Sequence, residues 1–145
     1  MKLWPPYLGA GINITHMSKD VRRVEVEMKL RFWNRNLVGT QFGGSLYALV
    51  DPFYMLMLIE NLGPKYLVWD KAANIRFKKP GKGTVRATFE LSAEQIDSIR
   101  KRADDESKVE PTFVVQILDD SNEVVAEVDK LLWVKRKDKL KPRSN

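Results

Sequence analysis

The sequence predicts an α+β domain in which one long apolar helix packs on an antiparallel sheet. Three observations carry that expectation. Val24, Val26, Met28, Leu30 and Phe32 alternate with Arg23, Glu25, Glu27, Lys29 and Arg31, the period of a strand with one buried and one wet face. Gly43 to Asn61 is apolar on nearly all sides of a helical wheel, as expected of a helix sunk inside a domain. The remainder is a series of short apolar runs broken by Gly, Pro, Asp and Asn, which read as strands and turns. A sheet carrying its helix on one face is the α+β solution to burying both.

Each element follows in order. Residues 1–20 are rich in Pro, Gly and Asn and read as an irregular opening segment with room for a short helix. The alternating strand ends in a loop from Trp33 to Phe42, which carries Asn34, Arg35, Asn36, Thr40 and Gln41. Gly43-Gly44 closes the loop, and Leu46, Tyr47, Leu49, Val50, Phe53, Tyr54, Met57 and Leu58 point in every direction around the helix until Gly63-Pro64 stops it. Val68 to Lys78 is the second strand, with Ala73, Ile75 and Phe77 on one face. Lys79 to Gly83 is a turn, and Val85, Ala87, Phe89 and Leu91 mark the third strand. Ser92 and Gln95 form a capping box for a short helix whose apolar stripe is Ile96, Ile99 and Ala103. The charged stretch from Arg100 to Lys108 reads as a solvated turn. Phe113 to Leu118 and Val124 to Val134 complete a sheet of about five or six strands, with Asp119 to Asn122 as the turn between them.

No internal repeat or linker divides the chain, so residues 1–145 read as one domain ending in a basic tail at 136–145. A helix apolar all round leaves one side uncovered by a single sheet. That geometry predicts a second subunit, in a homodimer or a dimer of dimers.

Composition excludes several classes. At 43% hydrophobic and 30% charged residues the chain is globular, not disordered. It has no cysteine and a single histidine, His16, so disulfides and thiolate metal sites are excluded and neither a metal nor a cofactor is expected. The apolar run carries Asp51 and Pro52 at its middle and reads as a buried helix, not a membrane span. Met1-Lys2-Leu3-Trp4-Pro5-Pro6 lacks the apolar core of a secretory signal, and a cytoplasmic location is expected. Net charge is +6, with Lys135, Arg136, Lys137, Lys139, Lys141 and Arg143 crowded against one Asp138. The tail reads as solvated, or as an attraction for polyanions. Without a zinc-finger, P-loop or RRM signature, nucleic acid is not the expected partner.

Asp51 is the first candidate for chemistry, because a carboxylate inside an apolar helix must be paired, hydrogen-bonded or protonated. The competing reading makes Asp51-Pro52 an N-cap and N1 proline that start a helix there. Gly43-Gly44 would present backbone amides at a helix start, suited to an anion or a developing oxyanion, or would be an ordinary loop-to-helix junction. Asn36 can orient a carbonyl or a water, or satisfy its own turn. His16 has no G-x-S-x-G elbow to join, so no Ser-His-Asp triad is expected.

The segment Asn36-Leu37-Val38-Gly39-Thr40-Gln41-Phe42-Gly43-Gly44, followed by Ser45 to Asp51, resembles the loop and central helix of hotdog-fold acyl-CoA thioesterases of the phenylacetyl-CoA thioesterase-like group. Asn36, Gly39, Gly43, Gly44 and Asp51 stand in that group's register. The wider chain is similar to the DUF4442 thioesterase-like family in Trp4-Pro5-Pro6, Asn34-Arg35-Asn36, Asp51-Pro52, Phe77 to Gly81 and Trp133 to Lys137.

The resemblance implies a hotdog fold acting on an acyl-CoA or acyl-carrier thioester across a dimer interface. Asp51 would be general base or nucleophile, the Gly43 amide would polarise the carbonyl, and Asn36 would position carbonyl or water from the facing subunit. Gly44, Phe42 and Thr40 would line the substrate's place. By charge and placement alone, Arg76, Lys78, Lys79 and Lys82 are candidates to meet the phosphates of CoA, or else form a solvated strand end. One position departs from the pattern. Phe42 stands where the group has histidine, so the dehydration chemistry of other hotdog enzymes is not implied. A hotdog dimer that binds acyl thioesters without cleaving them is the alternative.

Overall fold

The computed structural model describes residues 4–140. The chain runs α1 (Pro5–Ala10), β1 (Ile12–Met17), β2 (Arg23–Lys29), α2 (Gly43–Val50), α3 (Phe53–Leu62), β3 (Tyr66–Phe77), β4 (Thr84–Glu90), α4 (Ala93–Asp105), β5 (Thr112–Leu118) and β6 (Val124–Arg136). The six strands form one sheet in the order β1-β2-β4-β5-β6-β3, antiparallel at every pairing. The α+β expectation therefore holds.

The helical rod α2–α3 lies on the sheet's inner face. Leu49, Val50, Phe53, Met57 and Leu58 are sealed against Val24, Val26, Met28, Val85, Phe89, Val128 and Leu132. Each such side chain contributes about 1.5–3 kcal/mol by leaving water. The rod starts at Gly43, as expected, but is interrupted at Asp51-Pro52. Proline has no N–H to return to the preceding turn, so the ladder lapses there. Asp51 and Pro52 nevertheless keep right-handed helical dihedrals, and the Leu56 N–H donates to the Pro52 carbonyl, so the axis carries through. Asp51 is thus mid-rod. Its carboxylate caps no backbone N–H, which removes the helix-start reading.

Three sequence expectations need correction. The opening segment is not irregular: Pro5 and Pro6 occupy the first turn of α1, where their missing N–H groups are harmless, and Ile12 and Ile14 alternate with Asn13 and Thr15 in β1, a stretch too short to stand out. The first long strand stops at Lys29 instead of Phe32. The buried Asn34 side chain accepts from the Arg31 N–H at 2.7 Å and donates to the Lys29 carbonyl at 3.0 Å and the Ala10 carbonyl at 2.8 Å, folding the chain away from the sheet. The charged stretch after Arg100 is not a turn, because α4 continues to Asp105. Its apolar stripe reaches Ala103, and Arg100–Asp97 and Arg102–Glu106 pairs lie on the wet face. The Ser92–Gln95 capping box forms as expected.

The start of the basic tail is used structurally. Lys139 Nζ donates to the Ala103, Asp104 and Glu106 carbonyls at the end of α4, where a cation suits the helix dipole. Arg136 pairs with Asp104 and Asp138. Lys141 and Arg143 lie outside the described residues.

Candidate active site

The loop and the start of α2 are built by β-sheet neighbours. Gln41, 3% exposed, donates from Nε2 to the Met28 carbonyl at 3.2 Å and the Gly83 carbonyl at 3.0 Å, tying the loop to the ends of β2 and β4. Its N–H also bonds the Gly81 carbonyl, and a side chain at Gly81 would crowd Gln41 and Val125 at about 3 Å. With the loop pinned, α2 begins without a side-chain cap, because Phe42 at the N-cap has no polar atom to offer. The first N–H groups of the helix, from Gly43 onward, are left free for a ligand. Two rings flank them. A Cβ on Gly43 would meet the Phe77 ring at 3.2 Å, and one on Gly44 would meet the Phe42 ring at 2.7 Å.

Beside Gly43 opens a groove of about 440 Å³, lined by Asn36, Thr40, Gln41, Gly43, Leu46, Phe77, Lys78, Lys79, Pro80 and Gly81. A second hollow of about 480 Å³ runs along Arg35, Asn36, Leu37, Val38 and Phe42. The structure thus brings together Asn36, Thr40, Gly43, Lys78 and Lys79. Asn36 serves its own loop: Oδ1 accepts from Val38 and Thr40 N–H groups, and Nδ2 donates to Thr40 Oγ1 at 2.8 Å.

Two of the four candidate cations are already committed. Arg76 binds Glu127 and Asp129 on the sheet's outer face, and Lys79 holds Asp119 and Glu123. Lys78 and Lys82 are exposed. His16 lies exposed on β1, at the sheet's far edge.

Asp51 does not line either hollow. It stands at the C-cap of α2, eight residues beyond Gly43, or about 12 Å along the axis at 1.5 Å per residue. Its side chain is 44% exposed. Oδ1 accepts from the Tyr47 hydroxyl at 2.7 Å and from Lys130 Nζ at 3.1 Å. Lys130 is fully buried in β6, and its ammonium also lies 2.9 Å from Asp70 Oδ1 of β3. That second approach is a charge contact and not an aligned hydrogen bond, since Asp70 Oδ1 accepts none. Two carboxylates therefore share one ammonium.

Burial pulls the Lys130 pKa down, but the close carboxylate of Asp70, then that of Asp51, outweighs it and leaves the pKa above its ordinary value. Burial pushes the Asp70 carboxyl up against the pull of Lys130. The lysine has two acid partners whereas Asp70 has one base, so the pairing dominates and the ammonium stays charged. Burial, then the Asp51 charge, also raises the hydroxyl of Tyr7, which is buried without a partner.

Sequence reading overlooked Lys130, Asp70 and Tyr7. A signal for Lys130 existed: it is in phase with Ala126, Val128, Leu132 and Val134, the buried row of β6. Asp70 was hidden by a register shift between Asp70 and Ala72 that breaks the alternation. Among the described residues no three His, Asp or Glu side chains stand together to hold a metal ion. No described helix is long and apolar enough to cross a membrane.

The family model for a domain of unknown function, DUF4442, matches residues 1–134. The chain belongs to the DUF4442 family. No curated protein matches it in sequence. Among solved structures, this DUF4442 chain is similar to protein PA5026 of Pseudomonas aeruginosa, described as of unknown function and a probable thioesterase, with a TM-score of 0.77 and 25% identity over 88% of this chain and 84% of that one. It is similar to a putative thioesterase of Shewanella oneidensis, with a TM-score of 0.65 and 19% identity over 92% and 90% of the two chains. It is also similar to a mutant of the phenylacetic acid degradation protein PaaI of Thermus thermophilus, with a TM-score of 0.61 and 20% identity over 90% and 98%. The DUF4442 chain has the hotdog fold, a helix held in an antiparallel sheet.

Proposed function

We propose that this chain hydrolyses acyl thioesters, with an acyl-CoA or acyl-carrier thioester as substrate and a homodimer as the working unit. The observation that carries the reading is the pairing of an uncapped helix start at Gly43 with a half-exposed carboxylate at Asp51 on the same rod. The description of the Pseudomonas protein as a probable thioesterase agrees with it. The 12 Å between the two groups is too far for one carbonyl to touch both within a chain. A second copy with its rod antiparallel to the first would bring its Asp51 to the first chain's Gly43.

Several surfaces suit that copy. Phe32, Leu37, Val38, Phe42 and Phe77 are each more than half exposed. β3 is a long edge strand with an unpaired side. In the proposed site the Gly43 N–H receives the carbonyl oxygen as negative charge develops. Asp51, through Oδ2, takes a proton from a water that attacks the carbonyl carbon, or attacks that carbon itself. The tetrahedral intermediate collapses and the C–S bond breaks. On the water route the sulfur leaves with the proton that Asp51 took. On the direct route it leaves as a thiolate that takes a proton from solvent, after which water hydrolyses the acyl–Asp51 anhydride to free acid and carboxylate. Lys78 and Lys82 are the cations left to meet CoA phosphates.

The test is thioester loss from acetyl-, hexanoyl-, palmitoyl- and phenylacetyl-CoA by wild type and Asp51→Asn. Turnover of at least one substrate, falling about a hundredfold or more in the variant, is expected. Equal rates in the two proteins would overturn the reading. A second reading, binding without turnover, is favoured by Phe42, which puts an apolar ring at the N-cap. Tight acyl-CoA binding with no hydrolysis of any of the four substrates would establish it instead.

A further inference from the structure

Among the described residues Lys130 is the one lysine or arginine that is buried. It lies on β6, between the edge strand β3 and β5, with Ala73 of β3 and Phe113 of β5 opposite it. Apolar residues in place of Lys130 and Asp70 together would fill the site without the desolvation that a buried ion pair suffers, and replacements of a whole buried pair are often neutral or stabilising. Stability alone therefore does not explain a lysine here.

Its contacts do. The ammonium donates to Asp51 Oδ1 at 3.1 Å and to the Tyr47 hydroxyl at 3.3 Å, and Asp70 Oδ1 lies 2.9 Å away as a charge contact. The Tyr47 hydroxyl in turn donates to the same Asp51 oxygen at 2.7 Å. Tyr47, Asp51 and Lys130 thus close a triangle on Oδ1, while Oδ2 has no partner among the described residues. Asp70 from β3 holds the ammonium from behind, and Tyr7 from α1 is near enough for the Asp51 charge to act on its hydroxyl.

We infer that Lys130 is a positioning residue for Asp51: with Tyr47 it pins one carboxylate oxygen so that the other is presented, in fixed orientation, to the reacting water or carbonyl. The inference rests on the proposed hydrolysis. Lys130 has no exposed surface and touches no substrate, so it acts only through Asp51. An unpinned carboxylate on a half-exposed helix would sample several rotamers, and misplacement by about 1 Å is enough to lower a rate by about a hundredfold.

The experiment measures kcat and KM on the four acyl-CoA substrates for wild type, Lys130→Met, Tyr47→Phe and Asp51→Asn. Because the chain has no cysteine, Lys130→Cys can be aminoethylated at that one position in denaturant and then refolded, which restores an ammonium of lysine's length. Lys130→Met is expected to lower kcat at least tenfold with KM within about twofold. Aminoethylated Lys130→Cys is expected to recover kcat.

A folded Lys130→Met with wild-type kcat overturns the inference. So does an aminoethylated protein that regains the wild-type melting temperature but not the rate. Should Lys130→Met not fold, Tyr47→Phe decides: a several-fold loss of kcat at constant KM supports the clamp, and no loss overturns it. Asp51→Asn separates the two proposals. Full activity there sinks the site reading and the clamp together. Lost activity beside an unaffected Lys130→Met sinks the clamp alone.

Discussion

The ammonium of Lys130, sealed in the sheet, lies 3.1 Å from Asp51 on the helical rod, 79 residues away in the chain. The contact joins the rod to β6 through charge where every other neighbour in that row of β6 is apolar.

Removing the ammonium should be felt in stability as well as in rate. Lys130→Met leaves Asp70 half-buried and unpaired, and is expected to lower unfolding free energy by about 2–4 kcal/mol, less than a fully sealed pair because Asp51 can turn to water. Adding Asp70→Asn should restore part of that loss in urea unfolding. Additive effects would mean that the two do not interact. The pH dependence has a defined sign. The folded pKa of Lys130 lies above its ordinary 10.5. Its contribution is therefore full below about pH 10.5 and is lost as pH rises through the folded value. Wild type should lose stability in that alkaline range more steeply than Lys130→Met, and parallel curves would refute this.

Gly43→Pro isolates the amide proposed to receive the carbonyl oxygen. Gly43 is the first helical residue after Phe42, the position where proline suits a helix. Phe42 has φ −71° and ψ 129°, the extended conformation that a following proline requires. The ring must displace the exposed side chain of Phe77 slightly. The variant is expected to keep its stability within about 1 kcal/mol while kcat falls about 10²–10³-fold, the usual effect of removing one oxyanion donor. Unchanged kcat in a folded Gly43→Pro would remove the Gly43 N–H from the mechanism.

What was legible in the sequence was what periodicity and punctuation encode. The alternation from Arg23 to Lys29, the Ser92–Gln95 box and the helix start at Gly43 are all present in the fold. β1 was missed because Ile12 and Ile14 are too few to make a pattern, and the extent of α4 because its exposed charges masked a stripe ending at Ala103. At the candidate site, local motifs pointed to Gly43 and Asp51, whereas Lys130 and Asp70 reach Asp51 only through strand pairing. A partner brought in from a distant strand leaves no mark in a short motif. The phase of Lys130 with Val128 and Leu132 was the one trace of it.

Lys78 and Lys82 are expected to act on the coenzyme and not on the acyl group. Lys78→Glu with Lys82→Glu should raise KM for acyl-CoA about three- to tenfold at low salt, with the gap closing near 0.5 M salt as screening removes long-range attraction. kcat should be unchanged. The matching thioester of N-acetylcysteamine, which lacks the phosphates, should show no change in KM. A rise in KM for both substrates would place the lysines in acyl binding instead. The same substitutions at Arg76 and Lys79 are predicted to act on stability, since both already hold carboxylates.

Asn34 lies two residues before Asn36, and its contacts assign it to the fold. It is 7% exposed and makes three hydrogen bonds that join α1, β2 and the loop. Asn34→Ala leaves one N–H and two carbonyls without partners, and with partial entry of water the loss should be about 2–4 kcal/mol in urea unfolding. Asn34→Asp keeps the acceptor for Arg31 but loses both donors and sets a charge beside two carbonyls, so it should be at least as damaging. Below the melting temperature of either variant, kcat should stay within about twofold of wild type, because neither touches the Gly43 amide or Asp51. A tenfold fall in kcat in a fully folded Asn34→Ala would place this residue in the chemistry after all.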